Sequence, residues 1–467
     1  MLLAVALLLP TCTQDFEEIN TNENAPSAVQ PELLLRQVIY GYADAMAYEE
    51  FVAGNLLSQH LAMIDFNLFD RHALSSPQEG GDPWPILYTS LRDNETILEL
   101  ARQNPAQSVY EGPALVMKAY LAMTLTDLFG DVPFFDAFRG RANGVTTPAY
   151  DAQEDIYLAE GGILNLLERA VAAIDEQTGV QPLRGDILFA GDLDNWARLA
   201  NSLRIKALVR IADRVDPGGQ IQEIFDGQRY LNAPVFDAVL PFAAGQPNNY
   251  PIANARIGIF NVFLMSATAA DVYPADNPLT AIIYRPSASG GDFAGVANGI
   301  DAASAITPDE FARPGLIFRE NAADFRHNYM TSWETDYLIA EAAARGFVEV
   351  DPQEWFDRAV IQSYRYWGTE APRSIVNDFP DGDAVEQIIT QKWMALAGRG
   401  YEAWTEWRRT GFPTALRPAE ASLNGNLIPV RMPYPSDEQA LNFENYRVAA
   451  DATQDNSINV PVWWDVD

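Results

Sequence analysis

The sequence predicts a mostly α-helical protein in which helix pairs pack with an irregular, loop-rich portion. Three observations carry this. Apolar residues recur at three- and four-residue steps over much of 31–227 and 327–411. Proline and glycine, 30 of each, punctuate those stretches. Between 228 and 326 the periodicity lapses into Gly, Pro, Ala, Asn and Ser, with short apolar runs such as 234–240.

The elements follow in order. Segment 31–48 places Leu34, Val38, Tyr42 and Ala45 on one helical face. Segment 84–102 repeats the pattern through Leu87, Leu91, Ile97 and Leu98. The clearest helix is 113–129, with Pro113 suited to its first turn and Gly130 to its stop. One long helix is expected over 151–176 and another over 194–215, the latter capped from the Asp192–Asn195 stretch. The irregular middle is expected to hold loops, short helices and a hairpin or two. Helices return over 333–346, 352–368, 383–398 and 400–410, and a Pro-rich tail over 412–467 is expected to wrap the body. Helix pairs of this size resemble tetratricopeptide units, although no clean repeat of about 34 residues is present. No linker breaks the chain, so 31–467 reads as a single domain.

The termini and the charge narrow the function. Asp and Glu number 64 against 31 Lys and Arg, a net charge of −33. A nucleic-acid binder needs the opposite balance. The lysines are only Lys118, Lys206 and Lys392. Residues 1–9 form an apolar run too short to span a bilayer, which takes about 20 residues. It reads as the core of an export signal, and Cys12, the single cysteine, follows at once. This order points to a signal-like segment over 1–12, lipidation on Cys12, and a polar tether over 13–30 that lacks the apolar content to fold alone.

A search for catalytic chemistry finds little. His60, His72 and His327 stand apart from any metal-binding spacing. No nucleophile elbow, phosphate loop or dinucleotide fingerprint occurs. No catalytic residue, metal or cofactor is therefore assigned. Acids are too many for pairs to be meaningful by count. Aromatics are more informative. Trp84, Tyr250, Tyr273, Tyr284 and Phe293 lie between prolines or in the irregular middle, where a flat ring could stack on a sugar. They are the candidate ligand-binding residues, against the simpler reading that each covers core.

Several strings resemble the SusD/RagB family, in its SusD-like lipoprotein branch. The first is Thr126-Asp-Leu-Phe-Gly-Asp-Val-Pro133, then Ala137-Phe138 and Pro148-x-Tyr-Asp-x-Gln-x-x-Ile-Tyr157. The second is Tyr337-Leu-Ile-Ala-Glu-Ala-Ala343. The third is Gln391-Lys-Trp-Met-Ala-Leu396, followed by Glu402-Ala-Trp-Thr-Glu-Trp-Arg-Arg-Thr-Gly411. The fourth is Ile428-Pro-x-Arg-x-x-Tyr-Pro435 with Glu438 and Asn442, ending at Trp463-Trp-Asp465. They run in order along essentially the whole chain. Physically they read as scaffold: Arg408 and Arg409 can pair with carboxylates and stack on rings.

The resemblance implies a helical body with tetratricopeptide-like pairs and a lipid anchor in the bacterial outer membrane, facing the cell surface. It implies capture of glycans, or in some branches oligopeptides, for a SusC-like TonB-dependent transporter, with no enzyme activity. It transfers no ligand residue. Two other readings stay open: a helical glycoside hydrolase or lyase, and a non-catalytic surface scaffold.

Overall fold

Capping chemistry starts the long helices where the sequence offers it. The computed structural model describes residues 29–74, 81–177, 181–301, 303–376 and 383–466. Cys12, the signal-like segment and most of the expected tether lie outside them. Helix α1 (Pro31–Glu49) and helix α2 (Pro83–Gln103) both carry proline in the first turn. Helix α3 (Glu111–Phe129) ends at Gly130, whose φ of +78° is a conformation open to glycine. Helix α4 (Ile163–Asp175) is followed by α5 (Leu193–Arg210), where Asp192 accepts from the Asp194 N–H at 2.9 Å.

The expected helix over 151–176 is two helices, Gln153–Leu158 and α4. Gly161 and Gly162 divide them. Gly161 has φ +81°, and a Cβ on Gly162 would lie 2.6 Å from the Ile156 carbonyl oxygen. A helix α6 (Gly218–Gly227) leads into the irregular middle. Beyond it come α7 (Ser332–Ala344), α8 (Pro352–Tyr366), α9 (Ala384–Ala395) and α10 (Gly400–Thr410). Thr331, Asp351 and Asp383 cap the first three by accepting a backbone N–H.

Successive helices pack on one another: α1 on α2, α2 on α3, α3 on α4, α4 on α5 and α7 on α8. This is the tetratricopeptide-like arrangement. The α5–α7 contact joins the two helical halves. One apolar core runs through both and includes fully buried Trp196, Trp333, Trp393, Trp404 and Trp464.

The middle forms no hairpin among the described residues. β1 (Leu61–Met63) lies ahead of the middle, whose own strands are β2 (Ala238–Pro241), β3 (Phe263–Met265), β4 (Tyr284–Arg285) and β5 (Arg313–Pro314), and β6 (Arg326–Met330) leads out of it. They pair antiparallel as β1–β3, β2–β6 and β4–β5, so every partner is distant in sequence. The register sets Leu61 opposite Met265 and Pro241 opposite Arg326. β1–β3 and β2–β6 stitch the irregular segment onto the scaffold, and β4–β5 closes within it.

The sequence strings singled out above lock to one another. Gln153 donates to the Thr126 carbonyl at 2.7 Å, and its backbone N–H donates to Asp131 at 2.8 Å. Asp151 accepts from the N–H groups of Phe134 and Phe135 at 2.8 and 2.9 Å. Tyr157 and Trp464 both donate to Asp127, at 2.6 and 2.9 Å. Residues of the tail close over this end: the Met432 N–H reaches the Leu128 carbonyl, and Trp404 donates to the Pro429 carbonyl.

The scaffold also buries charge. Arg210 contacts Asp127, Glu402 and Glu406 at 3.1, 2.6 and 3.2 Å. Lys206 bridges Glu334 and Glu402, and Lys392 meets Glu406. Arg408 lies over Trp404 and Trp464, at 3.9 and 4.9 Å from the ring centres. Such groups are tolerable inside because each charge has an opposite one within reach.

Candidate functional site

A groove of about 1400 Å³ runs along the outer face of α8. That exceeds the roughly 300–1,000 Å³ of a site for one small ligand. Helix α8 lines one wall with Glu354, Asp357, Arg358, Ile361, Gln362 and Arg365, at three- and four-residue steps. The opposite wall comes from 232–239, 281–286 and 316–326. Ile282, Leu316, Ile317 and Val239 make it partly aliphatic.

A buried acid fixes the polar wall. Asp336 on α7 accepts from the Gln362 amide at 2.6 Å and pairs with the Arg358 guanidinium at 3.0 Å. Burial pushes its carboxyl well above the usual range, and Arg358 opposes that push. Arg358 also donates to the Asn232 carbonyl and lies over Trp355. Asp237, on the far wall, accepts from the Ser332 N–H at 2.6 Å, and burial raises its carboxyl to about 6.

The groove is electrically balanced. Arg285, Arg326, Arg358 and Arg365 are matched by Asp237, Asp324, Glu354 and Asp357, in a chain of net charge −33. Trp333 and Trp367 line it but are 1% and 7% exposed, so they form its base. Tyr366 is the half-buried ring of this wall, and its hydroxyl donates to Asn328 at 2.6 Å. The arrangement can hold an extended ligand by hydrogen bonds along one side and by apolar contact along the other.

The five aromatics chosen from the sequence fall elsewhere. Tyr250, Tyr273 and Tyr284 are 0%, 1% and 0% exposed, so they offer no face to a ligand. The reason is anchoring. Tyr273 donates to the Met394 carbonyl at 2.7 Å and Tyr284 to the His60 carbonyl at 2.9 Å. Tyr250 stacks on Phe325 with centres 4.1 Å apart. These rings pin the irregular middle to the scaffold. Trp84 is buried too, 4.8 Å edge-on from Phe129. Phe293 is half-buried, packed against the core and not part of the groove lining.

The groove residues gave no local signal in the sequence, because their segments meet only in the fold. Phe66 is a second aromatic outside the core. It is 71% exposed with φ +53°, a strained conformation for a bulky residue. Its loop is held by buried Asp70, which accepts from Met63, Asn298 and Gly299. A ring between Asp65 and Asn67, both turn formers, was the available clue.

The histidines are interior. His60 stacks on Trp393 at 3.7 Å, and burial lowers it to about 3. Among the described residues, no group of three or more His, Cys, Asp and Glu could hold a metal, and no helix is long and apolar enough to cross a membrane.

Comparison with known proteins agrees with this architecture. No curated protein matched. A chitin-binding protein of known structure superposes with a TM-score of 0.79 at 22% identity, covering 94% of this chain and all of that one. A SusD homolog from Bacteroides fragilis gives 0.79 at 18% identity, with 94% and 100% coverage. A chitin-binding SusD homolog from Flavobacterium johnsoniae gives 0.75 at 20% identity, with 94% and 98% coverage. The SusD-like family described as starch-binding and associating with the outer membrane matches residues 23–435. With nearly the whole sequence matched and the same fold, the chain belongs to the SusD-like family.

Proposed function

We propose that this chain is a nutrient-binding protein of the bacterial outer membrane, facing the cell surface. It captures a glycan in the α8 groove and passes it to a SusC-like TonB-dependent transporter, without chemistry of its own. A lipid on Cys12 tethers it.

The groove carries this reading. It is large, electrically balanced and lined by hydrogen-bonding groups beside aliphatic surface, which suits an uncharged oligomer rich in hydroxyls. The family's description as starch-binding supports a carbohydrate, as do two structural relatives named for binding chitin.

The full chain, immobilised and challenged with starch and chitin oligosaccharides, tests the ligand. Retention without shortened products is expected. Shortened products would establish a hydrolase instead. Retention of oligopeptides alone would change the ligand class, and retention of nothing would favour a scaffold. Membrane fractionation of Cys12→Ala tests the anchor: the variant should leave the membrane fraction, and its retention there would remove the lipid from the account.

A further inference from the structure

The scaffold holds a second, far smaller cavity of about 20 Å³, where α1, α3, α5 and α10 meet. Its walls include Tyr42, Glu50, Tyr120, Lys206, Arg399 and Glu402. Across it, Glu50 Oε1 and Arg399 Nε stand 3.6 Å apart, too far for a hydrogen bond. Arg399 Nε is buried and has no hydrogen-bond partner among the described residues. The other ends of both groups are engaged. Glu50 Oε2 accepts from the Tyr401 N–H at 2.7 Å, and Arg399 Nη1 donates to the Asn328 carbonyl. The hydroxyls of Tyr42 and Tyr120 are 3.4 Å apart, long for an O–H···O bond.

The backbone brings the two groups together. Residues Glu50–Gly54 form a π turn at the end of α1. There Gly54 meets Gly400 so closely that a Cβ on Gly400 would lie 2.0 Å from the Gly54 carbonyl carbon. This contact places Glu50, at the start of the π turn, and Arg399, next to Gly400, at the same joint.

We propose that one ordered water occupies this cavity, accepting from Arg399 Nε and donating to Glu50 Oε1, with Tyr120 as a further partner. A water needs roughly 10–15 Å³ and two to four polar partners. Lys206 and Arg399 at the walls face Glu50, Glu402 and Asp127, and Asp127 is paired with Arg210 just behind, so the charges balance and a neutral molecule fits better than an ion. The site makes the joint between the N-terminal helices and α10 a hydrated one.

A high-resolution crystal structure of the protein, grown once in chloride and once in bromide, tests this. A single density peak within about 2.7–3.2 Å of both Arg399 Nε and Glu50 Oε1, with no anomalous signal in bromide, is expected. The same peak should persist in Tyr120→Phe. Direct contact between Glu50 and Arg399 with no peak would overturn the proposal, as would an anomalous peak.

Discussion

Arg409 in α10 grips Glu341 in α7 through two parallel N–H···O bonds of 2.5 and 2.7 Å, with both side chains 1% exposed. The fork geometry matches guanidinium to carboxylate. Glu341→Gln leaves Arg409 one carboxylate in contact, Glu406 at 2.8 Å, where it had two. The loss of the charged fork is therefore expected to cost about 1.5–3 kcal/mol. Replacing both partners, as Glu341→Leu with Arg409→Met, should recover much of that loss. Urea unfolding midpoints of the three proteins check this. A single variant within about 1 kcal/mol of wild type would show the pair to be dispensable.

Close backbone contact gives a second expectation. Gly400→Ala puts a methyl group 2.0 Å from the Gly54 carbonyl carbon, where neither backbone can yield easily. A loss of about 1–3 kcal/mol or more is expected. Gly219→Ala in α6 meets open space and should instead gain about 0.5 kcal/mol by stiffening the unfolded chain. Thermal melts of the two variants should move in opposite directions.

Asp70 supplies a pH test. Burial raises its carboxyl from 3.8 to about 6, against three hydrogen bonds that favour the charged form. A raised folded value means the folded state holds the proton more tightly. Its contribution is thus full below pH 3.8 and falls away as pH rises through about 6. The loss is on the order of 3 kcal/mol. Relative to Asp70→Asn, wild type should lose stability between those pH values. Parallel unfolding curves for the two proteins from pH 3.5 to 7 would contradict the assignment.

In the groove, Asp336 positions Arg358 and Gln362 through one oxygen. Asp336→Asn is expected to weaken ligand binding about tenfold, or ~1.4 kcal/mol, by freeing both side chains. Titration calorimetry should show the loss, and Asp336→Glu should restore part of it. Equal affinity in all three would mean that the α8 wall makes no ligand contact.

The helical scaffold was legible because burial on one face leaves a periodic trace. Leu87, Leu91, Ile97 and Leu98 fall on the buried side of α2 as their spacing demands. The pairing of Arg409 with carboxylates was also legible from its neighbours on the same helix. The break at Gly161–Gly162 was not, since apolar residues continue in step on both sides. Tyr250, Tyr273 and Tyr284 misled for a physical reason: a loop ring can anchor the loop as readily as face a ligand. The α8 groove left no trace, because its walls come from four separate segments whose meeting depends on the β2–β6 and β4–β5 pairings.

The central claim is capture without turnover in the α8 groove. Calorimetric titration of wild type and Tyr366→Ala with the glycan retained most strongly, followed by analysis of the glycan for cleavage, tests it most directly. The account predicts saturable binding to wild type, at least tenfold weaker binding to the variant, and an unchanged glycan. Undiminished binding to Tyr366→Ala, or a shortened glycan, would contradict it.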